Sequence, residues 1–214
     1  MIERLCDELD IPLRERNAVH LAAGFAPPHP ERPLADLGVA RSAVEAVLGG
    51  LEPNPALAVN VRWELLAANR AIDLFLDAVA AELLEPPVNV LRVTLHPAGL
   101  APRIRNFEQW RSHAVRRVRR QLERTAADGL AALLDEITSY PVPTGGQVPA
   151  PPTDNDLVVP MRIATDGSEL AFHYALTVFG AARDVTLDEI AIETFFPADE
   201  STSSTLQRLM GEAR

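Results

Sequence analysis

The sequence predicts an α+β domain in which helices cover one face of a five-stranded antiparallel sheet, preceded by a short helical N-terminal segment. Three observations carry that expectation. PALAVN and VRWELLAAN read as two short strands joined by a tight turn. The last third alternates in apolar character: LVVPMRIA, a TDGSE turn and LAFHYALTVFG form a hairpin, and DEIAIETFF adds a third strand. Between these blocks the apolar period changes to that of amphipathic helices. Two strands, several helices and three meandering strands assemble as one sheet with packed helices.

The elements follow in order. Residues 1–26 are helical, with Asp10 placed as an N-cap, Pro12 just inside the next helix and Gly24 as its C-terminal stop. Residues 27–50 form a connector: the prolines of FAPPHPERP deny helix and sheet bonds, and VARSAVEAVLGG is a short helix closed by Gly49 and Gly50. The main domain then runs over 51–214. Asn69 ends the second strand and either caps a helix over Ala71 to Leu84 or contacts a ligand. Further helices are expected from Asn106 to Glu123 and from Gly129 to Tyr140. PVPTGGQVPAPPTDND is a long surface loop, expected to be mobile.

In the hairpin, Asp166-Gly167 is the turn signal. Leu170, Phe172, Tyr174, Leu176 and Val178 alternate with Ala171, His173, Ala175 and Thr177, so both faces of that strand are partly covered. Ile190, Ile192 and Phe196 share a face in the last strand. Pro160 removes a ladder donor and marks the first hairpin strand as an edge. Asp199 or Ser201 caps a C-terminal helix over STSSTLQRLM, which together with the open sheet face is a natural dimer surface.

Composition narrows the class. Of 214 residues 47% are hydrophobic and 23% charged, a balance that separates a globular chain from a disordered one. No apolar run approaches the ~18 residues of a membrane span, and MIERLCDELDIP lacks the apolar core of a signal peptide. The single Cys6 excludes an internal disulfide framework and agrees with a reducing cytoplasm. A net charge of −10 repels phosphate backbones, so a nucleic-acid contact needs a local basic patch.

One such patch exists. WRSHAVRRVRRQLER puts six arginines into the fifteen residues from Trp110 to Arg124. At helical spacing Phe107, Trp110, Ala114, Val115, Val118 and Leu122 gather on one side. Arg116, Arg117, Arg119, Arg120 and Arg124 fall on the other, while Arg111 lies near the apolar arc and snorkels outward. The stripe is either a solvated or subunit-facing helix surface, or a phosphate contact through Arg116, Arg117 and Arg120. No aromatic residues interleave it, which argues against a single-strand groove.

Signals for catalysis are absent from the sequence. His20, His29, His96, His113 and His173 show no metal-ligand spacing, and no GxSxG, GxxxxGK or GxGxxG occurs. Neither an enzyme nor a cofactor is expected; a small-molecule enzyme on the same scaffold is the third and weakest reading.

Three long segments resemble one family: NPALAVNVRWELLAANRAIDLFL, PPVNVLRVTLHPAGLAPRIRNFEQWRSH and VTLDEIAIETFFPAD. They resemble the MmyB-like ligand-binding domain that follows the helix-turn-helix of bacterial Xre-family transcription regulators. The resemblance implies a PAS-like fold from about Leu51 onward, a buried pocket and fatty-acid-like ligands. IERLCDELDIPLRERNAVHLAAGFAP looks like the last two helices of that family's DNA-binding domain, without the recognition helix. DNA reading is therefore expected only through a missing or partner helix-turn-helix. A homodimer, or a heterodimer with a full-length paralogue, is the expected assembly, and an interaction module without ligand is the alternative.

Candidate ligand contacts are Phe75, Leu91, Trp110, Phe172, Tyr174 and Phe196, apolar or aromatic side chains at core spacing. In LHPAGLAPRI and the residues after it, His96, Arg103 and Asn106 lie on a Pro-broken segment, where the Arg103 guanidinium could hold a ligand carboxylate. The alternative is that Arg103 pairs with an acid, His96 caps a turn and the aromatics are plain core.

Overall fold

A computed structural model describes residues 1–125, 129–143, 158–165, 167–180 and 182–212. Helices α1 (Ile2–Glu8) and α2 (Leu13–Ala22) precede α3 (Gly38–Gly50), β1 (Ala56–Val59) and β2 (Leu65–Ala68). Two 3-10 segments, Arg70–Phe75 and Ala81–Leu83, lead to α4 (Val90–Leu95), α5 (Phe107–Thr125) and α6 (Leu130–Ser139). The chain closes with β3 (Met161–Thr165), β4 (Ser168–Val178), α7 (Val185–Glu189), β5 (Ala191–Pro197) and α8 (Glu200–Glu212).

The α+β class holds. The strands form one antiparallel sheet in the order β2-β1-β5-β4-β3, consistent with the PAS-like arrangement the resemblance implies. As Pro160 suggests, β3 is an edge. Thr165 pairs with Ser168 across the hairpin tip, where Gly167 takes φ +83°, a conformation glycine adopts without steric cost.

Cross-strand register defines an inner face. Leu57 stands opposite Glu193, Val59 opposite Ala191, Tyr174 opposite Phe195, and Met161 opposite Phe172. The main core packs here, with Trp110, Ala114 and Val118 of α5 and Leu133 and Ile137 of α6. Helices are not confined to this face, however. All four residues of β1 are buried, so its reverse side also needs cover. Val44 and Leu48 of α3 supply it, packing on Ala56, Ala58, Ile190 and Ile192.

Several local expectations are corrected. Asp10 takes φ 48° and does not cap α2; extended Pro12 stands at that position. Gly24 ends α2 as expected, at φ +82°, with Phe25 N donating to His20 O (2.9 Å). Gly49 and Gly50 lie inside α3 rather than after it. No regular helix spans Ala71 to Leu84: Ala80 is extended and its N–H bonds Ala98 O (2.9 Å), a tertiary contact that draws the chain out of helical form. Asn69 makes no cap. Its Oδ1 accepts from Ala56 N (3.1 Å), and its Nδ2 donates to Leu48 O and Asn54 O, tying α3 to the start of β1.

Helix α4 arises where no element was expected, because Asn89 accepts from Leu91 N and Arg92 N and so starts a turn. Asp188 and Glu189 belong to α7, not to the last strand. Of the two candidate caps before α8, Asp199 serves, accepting from Thr202 N (2.7 Å), and this bond holds its carboxyl below the ordinary range. Most of the Pro/Gly-rich segment, residues 144–157, lies outside the described residues.

Candidate ligand pocket

A cavity of about 260 Å³ lies on the inner face of the sheet. Its floor includes Leu57 of β1, Phe172 of β4 and Phe195 of β5; its roof includes Ile72, Phe75 and Val93. Phe172 is fully buried and meets Phe75 and Phe195 edge-on, with centroids 5.8 and 6.4 Å apart. Among the described residues that line it, Thr94 alone has a polar side chain, and its hydroxyl is spent on Val90 O (2.7 Å).

The roof is fastened by polar contacts around its rim. Arg103 donates to Phe75 O and Ala164 O (both 3.1 Å), stapling the roof to β3. Asn106 donates to Pro160 O and accepts from Arg162 N, fixing β3 to the start of α5. Arg92 forms a two-bond ion pair with Glu136 of α6, which also accepts from Tyr140. Arg92 holds the Glu136 carboxyl below its ordinary range. His96 Nδ1 accepts from Ala98 N, and its ring stands edge-on to Tyr140. Gly99 is required by close approach: a Cβ there would lie 2.1 Å from Val93 O.

A second, more open cleft of about 520 Å³ lies further along the same face. Val59, Ala191, Leu176 and Val178 form its apolar side, and Arg117 and Arg120 its basic side. Across it, α2 docks on α7, with Arg14 paired to Glu189 and Leu13 N donating to Asp188. Both Leu176 and Val178 are substantially exposed.

A polar partition stands between the two spaces. Glu193 lies between Phe195 and Ala191 along β5, and Tyr174 between Phe172 and Leu176 along β4. Arg117 Nη1 donates to Glu193 Oε1 (2.7 Å), which also accepts from Tyr174 OH (2.9 Å). The guanidinium carbon lies 4.3 Å from the Trp63 ring and 4.9 Å from that of Tyr174. Trp63 sits at φ 65°, an uncommon conformation for a bulky residue. It is held there by Trp63 N to Asn60 O and by its indole N–H to Gln121 Oε1 (2.9 Å).

Burial dominates the partition's electrostatics. It pushes the Glu193 carboxyl up to about 7, although Arg117 pulls the other way. Burial also lowers Arg117, with Glu193 opposing. His113, stacked on Trp110 with centroids 5.6 Å apart, is held below its ordinary value by burial and by Arg117, Arg116 and Arg120.

The sequence-derived candidates therefore disperse. Phe75 and Phe172 line the cavity. Leu91 is buried in the core on α4, while Trp110 packs edge-on to Tyr174 beside the partition. Phe196 lies on the opposite face from Phe195 and is 39% exposed. Arg116 and Arg120 are exposed, but Arg117 leaves the solvent side and turns inward. Phe195 of the cavity and Trp63 and Glu193 of the partition are not among the residues the sequence points to. Alternation along AIETF was the available signal, since it places Glu193 on the face of Ala191 and Phe195, where a carboxylate needs a cation.

A five-stranded sheet covering an apolar cavity defines a small-molecule-binding α+β domain. Over residues 40–209 the chain matches the MmyB-like transcription regulator ligand binding domain, and it belongs to that family. The match begins within α3, whose buried side chains complete the reverse face of the sheet. No curated protein matches the chain. The family is one of regulator domains rather than enzymes. No described helix is long and apolar enough to cross a membrane.

Proposed function

We propose that this domain senses a small apolar or fatty-acid-like molecule in the cytoplasm, held in the 260 Å³ cavity. The observation that carries the reading is the lining itself. With its one polar side chain already satisfied, the cavity rewards hydrocarbon and offers a polar group no partner. Occupancy is relayed by a shift between two subunit arrangements, to the extent that the ligand binds one of them more tightly. The test is mass spectrometry of an organic extract from natively purified protein against a mock purification. A stoichiometric amphiphile is expected; a clean extract, with no stabilisation by a fatty-acid panel, refutes the reading.

One observation favours a second reading, an interaction module. Leu5, Leu9, Leu21 and Phe25 of the N-terminal segment are each more than half exposed. Pairing with a second copy or a paralogue would cover them. Equilibrium sedimentation with and without a paralogue decides it: self-association or a mixed complex supports the module, and a monomer in both runs refutes it.

A further inference from the structure

We propose that two copies of this chain dock reciprocally, α1 of each laying Leu5 and Leu9 against Leu176 and Val178 in the outer cleft of the other. Glu8 of one copy then faces Arg120 of the other. The proposal rests on the second reading above, that the N-terminal segment is an interaction surface, and it names the surface that segment meets.

The donor side is amphipathic. Leu9 N donates to Leu5 O (3.1 Å), so the two leucines stand one turn apart and share a face. Both are more than half exposed, while Cys6, a residue further round, is buried. Glu8 borders the leucine face at helical spacing, and Asp10 follows it. Among the described residues neither carboxylate has an ion-pair partner. Glu3 and Asp7, on the far side of the helix, are instead held by Arg16 of α2. Glu8 and Asp10 outweigh Arg4, the one arginine of α1. The free face of α1 is therefore hydrocarbon with an acidic border.

The receiving side is its complement, hydrocarbon with a basic border. Leu176 and Val178 end β4 and remain 45% and 59% exposed in the wall of the cleft, whose volume of about 520 Å³ has room for two leucine side chains. Arg120 stands on the rim, with Arg116 and Arg119 beside it on α5, and all three are exposed. Among the described residues none of the three has a carboxylate partner, whereas Arg41, Arg70, Arg92 and Arg162 on other elements each have one. Arg116 and Arg120 are one helical turn apart, a spacing at which like charges repel. Arg120 also acts on Arg117, opposing its charge. An acidic border laid on this rim relieves both repulsions.

One chain carries both surfaces but does not join them. Arg16 holds α1 on α2 through Asp7, and the leucine face stays exposed there. A second copy joins them without any change of fold. Each copy gives one α1 and receives one, so the contact is isologous and closes as a two-fold dimer rather than running on as a filament. Four leucines leave water, and two acid–base borders meet at the edges of the contact.

The test is sedimentation equilibrium of the full chain across a concentration series, with variants whose substituted side chains are exposed in the single chain. Wild type is expected to dimerise. Leu5→Ser/Leu9→Ser, and separately Leu176→Ser/Val178→Ser, should weaken association by roughly a hundredfold or more, since each loss occurs twice per dimer. Glu8→Arg and Arg120→Glu should each weaken it by about threefold to tenfold, and the E8R/R120E double variant should recover it. A wild-type dimer that either leucine-face variant leaves intact, or a double variant no better than its parents, overturns the proposal while the interaction module stands. A wild type that is monomeric throughout overturns it as well, and if no paralogue complex forms either, the interaction reading falls with it.

Discussion

The inner cavity and the partition beside it share one sheet face, yet they are built on opposite principles. Around Phe172 every contact is apolar and the shape is set by packing. Around Glu193 the shape is set by an ion pair, a tyrosine hydroxyl and two aromatic faces. The first region stabilises the fold at any pH. The second holds a carboxyl whose burial favours its protonated form. A sensor needs both, a place for mass and a place for change.

That contrast can be broken from either side. The largest effect is expected for Phe172→Ala, which removes a fully buried ring. Chemical denaturation should show a loss of about 3–5 kcal/mol. Gly99→Ala comes next. With Val93 O so close, the turn behind α4 must move, and a loss of about 1–3 kcal/mol with weakened dodecanol binding is expected.

The partition should respond to pH instead. Folded Glu193 keeps its proton to about pH 7, whereas the unfolded chain releases it near the ordinary value of 4.5. The folded state therefore binds more protons across that window, and stability falls as pH rises through it. Denaturation of wild type and E193Q across pH 4.5 to 7 should show wild type losing ground steadily. His113 acts in the reverse sense, since its neutral form is favoured and its contribution fades below its ordinary 6.5. Both chains share His113, so the difference isolates Glu193. The smallest effect is expected outside the contrast altogether. Arg116→Gln and Arg119→Gln alter exposed side chains, and unfolding should shift by no more than about 0.5 kcal/mol.

The same contrast explains what the sequence disclosed. Strands and the long helices were legible because burial imposes a period, and Phe172 stood out by alternation. The roof was not: its 3-10 segments and α4 are short, and tertiary bonds such as Ala80 to Ala98 decide them. Arg117 was misplaced because a long side chain near the edge of a helix's polar arc can turn either way. What turns it inward is Glu193, 76 residues distant. Arg103 and His96 attracted notice as polar groups on an irregular segment; in the fold they hold backbone in place.

The placement of Trp63 makes the partition optically visible. The chain has two tryptophans, and both bear on it: the Arg117 guanidinium lies over the Trp63 ring, and Trp110 meets Tyr174, whose ring also lies against that guanidinium. Indole emission depends on the charge beside the ring. Indole emission therefore follows the state of the Arg117–Glu193 pair, and the domain's intrinsic fluorescence reports on the partition.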